Sequence, residues 1–324
     1  MSQVIDTMFR NVDPLLLAIV LLASLTASAQ DSPPTDLGRK KVSDTILLHR
    51  SLAVPDPFDA KSTLLRLFPG KWYDLSKPKY RNQLISWICP TCTPKIFLDA
   101  NQMDTLRFPY PSGVATRLLD VFSYSDSSGK QHKVMSFNHS EYDADGIQTG
   151  RFSGGLVGMA TFVRVDNGWL IQTFQPAIAA YGAFSQAPKP QPLLIGTGQY
   201  AFLIDHMNGG AGGPFWQNTY LLGPVSGSFQ QLLAVYGTGR TVGFEGKSSW
   251  TYTYSVIPGQ KQAFRDIAIV CKGHFAAPDP EGLPQELKGK IKAGQQGNFT
   301  IRHVYVYTGI KGYEEQLPAK VTIK

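Results

Sequence analysis

Cys89-Pro90-Thr91-Cys92 and Cys271-Lys272-Gly273-His274 are the two places where this chain sets metal- or redox-competent side chains at short, fixed spacing. Three thiolates and an imidazole make a tetrahedral zinc set, and the two-residue gap lets both ligands of each half reach one ion. The halves lie about 180 residues apart, and neighbouring cysteines of this kind pair readily in an oxidising compartment. Three states follow: zinc held by Cys89, Cys92, Cys271 and His274; a Cys89–Cys92 disulfide with Cys271 left over as an inert thiol; or a redox-active dithiol. If Cys271 continues the alternation of Ile267 and Ile269 it fills a core, and His274 points elsewhere unless Gly273 turns the chain.

Two polar clusters are candidates for ligand chemistry. His139, Glu141, Asp143 and Asp145 gather an imidazole and three carboxylates within seven residues, a group suited to general acid-base work if a cleft raised one carboxyl pKa. Calcium held in the manner of an EF-hand needs a later bidentate glutamate, where this chain has Gln148 and Thr149, and a polar β-turn is the plainer alternative. Asp205 and His206 precede the glycine-rich run Gly209 to Pro214, after which Phe215 and Trp216 offer planes on which a sugar ring stacks. That run lacks the lysine and the helix of a phosphate loop, and its plainer alternative is a link between two strands. No Gly-x-Ser-x-Gly elbow and no His-Glu-x-x-His motif occurs.

Most of the chain alternates apolar and polar residues with period two between turn signals, the pattern of half-buried antiparallel strands. In Trp250 to Val256 the large side chains take every second position, which no helix could place on one face. Two hairpins are expected: Leu118–Tyr124 turning at Asp126 to Gly129 into Lys133–Phe137, and Ala160–Val165 turning at Asp166-Asn167-Gly168 into Trp169–Phe174. Further strands are expected around Leu193, Tyr200, Thr219, Gln230, Arg265 and Thr300. A short helix is expected near 57–68, started by Asp56-Pro57, facing inward through Leu64, Leu67 and Phe68 and stopped at Pro69-Gly70; Pro284 to Lys292 suggests a second, with Glu286 and Lys290 spaced to pair. The fold class is therefore all-β, mostly antiparallel with one or two short helices, as a β-sandwich or a barrel-like sheet, in one domain or two β subdomains. The proline-rich Gln186 to Pro192 cannot enter a central strand and marks the boundary between residues 46–185 and 193–324.

Phe68-Pro69-Gly70-Lys71-Trp72-Tyr73 resembles the Gly-x-Trp signature that opens the first strand of lipocalins, exported eight-stranded barrels that hold small hydrophobic ligands. The resemblance implies a barrel-closing role for Trp72. It spans six residues, the other lipocalin patterns are not evident, and the chain is longer than one barrel. Trp87 to Cys92 resembles the thioredoxin-type site, but here Ile88 separates the tryptophan from the first cysteine.

The first thirty residues carry an address. An apolar run from Leu15 to Leu25 is followed by Ala27-Ser28-Ala29, a small-x-small cleavage pattern, so residues 1–29 read as a signal peptide and Gln30 as the mature N-terminus. The run is shorter than the roughly 20 residues of a membrane span, so no transmembrane anchor is expected after cleavage. Residues 30–45 read as a disordered linker, with order expected from Ile46. Loss of the leader leaves 30 basic and 22 acidic residues, a formal +8, which favours anionic surfaces or acidic polysaccharide. Basic residues interleaved with stacking aromatics on one face are not evident, so no nucleic-acid partner is expected. The expectation is an exported, periplasmic or extracellular, non-catalytic binding or structural module that requires no cofactor. The alternatives are a secreted hydrolase of carbohydrate or phosphoester using the 139–145 carboxylates, and a zinc-stapled module.

Overall fold

A computed structural model describes residues 38–75, 82–101, 105–141, 151–243, 247–258, 264–276, 279 and 282–324. The expected leader, residues 30–37 of the linker, Asp143 and Asp145 lie outside them.

The first half of the chain forms β1 (Lys40–Lys41), β2 (Ala53–Pro55), α1 (Ala60–Leu67), β3 (Lys71–Leu75), β4 (Asn82–Ile88), β5 (Lys95–Phe97), β6 (Leu106–Phe108), β7 (Val114–Ser125), β8 (Gln131–Glu141), β9 (Gly155–Val165) and β10 (Gly168–Tyr181). Eight of these strands make one sheet in the order β1-β4-β7-β8-β9-β10-β2 with β3 beside β4, while β5 and β6 form a separate ribbon. Only β1 and β4 run parallel among the described pairs of this sheet. Both expected hairpins are present, and Gly168 pairs with Val165 across the Asp166-Asn167 turn. Asp126 ties the other turn together, accepting from the Ser128 and Lys130 amides and facing His132 Nε2 at 2.9 Å.

The second half forms β11 (Gln191–Gly196), β12 (Gln199–Gly209), β13 (Phe215–Val225), β14 (Ser228–Arg240), β15 (Ser249–Val256), β16 (Ile267–Ala276), β17 (Gln296–Tyr307), β18 (Tyr313–Glu315) and β19 (Lys320–Ile323). Its nine-stranded sheet runs in sequence order from β11 to β18, with β19 on β17. The sheet curls far enough that the Arg265 amide, just before β16, donates to Ile195 of β11 at 2.7 Å. The protein is thus all-β and mostly antiparallel, in two large sheets of which the second is curled. Neither sheet's strand order returns to its start, so the closed barrel that the Gly-x-Trp likeness implies is not formed among the described residues. Trp72 instead lies on β3, part-exposed, with the Lys61 ammonium 4.1 Å from its ring centroid.

Three apolar clusters hold these layers. Leu64 and Leu67 from α1, with Phe68 that caps it, pack with Trp87, Phe137, Leu156 and Phe162 on one face of the first sheet. On the other face Val157, Met159 and Tyr181 meet Phe202, Ile204, Tyr220 and Leu222 of the second sheet. Strand β9 is consequently buried on both faces from Gly155 to Val163, and each such large apolar side chain contributes roughly 1.5–3 kcal/mol. The third cluster lines the inside of the curled second sheet.

Three local expectations need correction. Helix α1 starts from Asp59, which accepts from the Ser62 amide at 2.6 Å, because the Asp56 carboxylate is already taken by Arg164 and the Trp169 indole. Order begins before Ile46, since Lys40 and Lys41 add to the exposed edge of β4 and Asp44–Leu47 make a 3-10 turn. The second helix shrinks to a 3-10 turn at Gln285–Leu287, because Gly289 takes a positive φ of 78° that ends any helical run. Glu286 faces His303 across 3.9 Å rather than pairing with Lys290.

Candidate functional site

Strand β17 turns Phe299, Ile301, His303 and Tyr305 to the inside of the curled sheet while Asn298, Thr300, Arg302 and Val304 face outward. A histidine therefore occupies a position that the alternation assigns to a core residue. The pairing of Tyr305 with Glu315 on β18 brings that carboxylate alongside, and His303 Nδ1 lies 2.6 Å from Glu315 Oε1. Glu286 approaches the other ring nitrogen, Nε2, from the 3-10 turn at 3.9 Å, beyond hydrogen-bonding distance. With Nδ1–H donated to Glu315, Nε2 presents a lone pair when the ring is neutral and an N–H when it is charged.

These groups line a cavity of about 860 Å³. Its wall includes Trp216, Tyr236, Trp250, Tyr305 and Tyr313. Trp250 is fixed by donating its indole N–H to the Gly237 carbonyl at 2.8 Å, with Trp216 packed edge-on against it at 5.6 Å. Trp216 is part-exposed, so aromatic surface remains for a ligand, whereas Tyr236 turns its ring toward Tyr220 on the other face of the sheet. Leu283, Leu287 and Ile291 anchor the segment that carries Glu286 to the sheet interior. Arg240 pins the neighbouring seam, where β14 and β15 share a single residue pair, by bonding Asp279 at 2.8 Å and the Ser248 carbonyl at 2.6 Å.

The neighbouring thiol and phenols stay protonated. Burial, with Glu286 nearby, pushes the Cys271 thiol up to about 12, so it is no thiolate nucleophile at ordinary pH. Burial also raises the Tyr305 and Tyr313 phenols, leaving them as hydroxyls, and Tyr313 donates to the Arg265 carbonyl at 2.9 Å. The arrangement offers hydrogen bonds from an imidazole and two carboxylates beside an aromatic stacking surface.

Of the residues that the sequence singled out, Trp216 and Cys271 line this cavity. His139 does not: it is fully buried in the first core against Phe68, Trp87, Phe108 and Phe137. Its Nε2–H donates to the Pro176 carbonyl at 3.0 Å, and Thr116, itself accepting from the Trp87 indole at 2.7 Å, donates to Nδ1 at 2.8 Å. Burial drives its pKa down to about 3, the signature of a neutral structural ring. A β-bulge between Gln175 and Ala179 brings the Pro176 carbonyl inward, and Gly158 leaves room for it: a Cβ there would lie 2.2 Å from both that oxygen and the Phe137 ring. Glu141 sits exposed at the end of β8 and accepts from Ser112 at 2.7 Å.

The glycine-rich run Gly209 to Pro214 joins β12 to β13 as a hairpin. Successive residues Asp205 and His206 face opposite ways. Asp205 accepts from Tyr252 and from Thr219, in a smaller depression of about 410 Å³. His206 is buried between the sheets, where its Nδ1 accepts the Gly182 amide at 2.9 Å and burial lowers its pKa. Phe215 stacks under the Arg151 guanidinium at 5.7 Å.

Cys89 and Cys92 are joined as a disulfide. Cys271 is buried inside the second sheet, and His274 lies on the outer side of the same strand in a shallow groove with Lys272 and Thr300. The four side chains of the zinc set are not brought together, and among the described residues no group of three or more His, Cys, Asp or Glu could hold a metal ion. Local reading of the sequence named neither His303 nor Glu315, and placed Glu286 only in a helical pair with Lys290. The available signal was a histidine in the inward register of Phe299, Ile301 and Tyr305. Comparison with protein-family models, with curated proteins and with solved structures finds no match for this chain.

Proposed function

We propose that this chain is an exported, non-catalytic binding module that receives a saccharide in the cavity of its second sheet. One observation carries the reading: part-exposed Trp216, packed on Trp250, shares a cavity of about 860 Å³ with His303, Glu286 and Glu315. A sugar ring presents apolar C–H faces that stack on aromatic planes, and hydroxyls that carboxylates and an imidazole bind from the side. A volume of this size accommodates one or two sugar units. Export is supported by the Cys89–Cys92 disulfide, a bond that persists in oxidising compartments, and by the leader pattern ending at Ala29.

The test is a titration of intrinsic tryptophan fluorescence with neutral and acidic mono- and oligosaccharides. At least one sugar is expected to shift the emission, and Trp216→Ala is expected to weaken that sugar by about tenfold or more. A panel in which no sugar changes either the emission or the heat of mixing defeats the proposal. Mass spectrometry of the secreted protein is expected to find Gln30 at the N-terminus.

A further inference from the structure

The charged groups of the cavity are sorted by depth. His303 is nearly buried and Glu286 and Glu315 are about one-third exposed, whereas Lys288 and Lys311, which also line the cavity, are exposed. The segment that carries Glu286 continues the sorting outward. Leu283, Leu287 and Ile291 pack into the sheet, while Lys288, Lys290 and Lys292 between and beyond them stand in solvent. Among the described residues no carboxylate lies within 4.0 Å of those three lysines, and Lys311 has only the exposed Glu314 at 3.7 Å, a pairing that water weakens.

We infer that the saccharide this cavity takes is an acidic one, of the uronic acid class, an inference that rests on the reading of the site given above. A carboxylate placed deep would meet Glu286 and Glu315 and be repelled. At the mouth it meets Lys288 and Lys311 instead. This polarity sets one direction for the ligand, with a ring face on Trp216, hydroxyls toward His303 and Glu315, and the acid group outward. The next sugar units then run along Lys290 and Lys292, and the net positive charge of the whole chain favours the approach of such a polymer. Because the lysines are exposed, their attraction is sensitive to salt.

The experiment uses the intact secreted protein and short oligomers of galacturonate, glucuronate and mannuronate, each beside its methyl ester, which keeps the ring and removes the charge. At least one acid is expected to bind about tenfold tighter than its ester at low ionic strength, with the gap closing as salt is added. In a Lys288→Gln, Lys311→Gln double variant, shown to be folded by circular dichroism, that acid is expected to fall to the level of its ester while the ester is unchanged. Equal binding of acid and ester overturns the charge selection and leaves the saccharide site standing. A preference that survives in the double variant overturns its placement on Lys288 and Lys311. Failure of every acid, ester and neutral sugar to bind overturns the site itself, and the charge selection with it.

Discussion

His139 and His303 both occupy inward positions of long strands, one in each sheet, and they have opposite fates. Around His139 both ring nitrogens are satisfied, one by Thr116 and one by the Pro176 carbonyl, inside a wall of aromatic rings. His303 commits only Nδ1, to Glu315, and its Nε2 faces a cavity. A buried imidazole with two neutral partners is a fixed part of a core; one with a carboxylate on one side and open space on the other is available to a ligand. Residue type and strand register are shared, so what separates structure from function here is the second hydrogen-bond partner.

The contrast is broken most severely by His139→Leu. That change leaves the Thr116 hydroxyl proton without an acceptor and the Pro176 carbonyl without a donor in a dry core, with an expected loss of about 3–5 kcal/mol in chemical denaturation. His303→Leu is expected to cost about 1 kcal/mol or less while abolishing sugar binding. Equal stability losses for the two variants would erase the distinction. Gly158→Ala is expected next, at about 2–4 kcal/mol, because the new methyl group meets the Pro176 carbonyl and the Phe137 ring.

Acid sharpens the same comparison. A histidine whose folded pKa is lowered to about 3 is neutral in the native state but takes up a proton once unfolded below about 6.5. Its neutrality therefore stabilises the fold above pH 6.5, and that contribution is lost as pH falls from 6.5 toward 3. Thermal midpoints measured across that range should decline less steeply in His139→Gln than in the parent; parallel slopes would contradict the assignment. A modest effect is expected for Cys89→Ser with Cys92→Ser. This bridge closes a loop of only a few residues, so about 1–2 kcal/mol should be lost, read as a small shift in the denaturation midpoint.

Much of the architecture was legible in local pattern. The Asp166-Asn167-Gly168 and Asp126 to Gly129 turns gave both hairpins, and Trp250 to Val256 announced its strand. The close spacing of Cys89 and Cys92 made their bridge one of the readable options. The candidate site was far less legible: Trp216 and Cys271 were flagged for other reasons, and the polar centre was missed. His139, with its carboxylate-rich neighbours, looked more reactive than His303 in a run of apolar residues. Tertiary burial reversed that order.

Period-two alternation by itself determined that this chain folds as antiparallel sheet, since neighbouring side chains on a pleated strand must face opposite ways. It also determined where the chain turns, through residues suited to tight loops. Only the tertiary structure decided what each inward polar residue meets. Glu315 reaches His303 through the pairing of β17 with β18, and Glu286 arrives from a turn that precedes β17. Neither meeting follows from spacing, because strand register and the curl of a sheet are set by many packed side chains acting together.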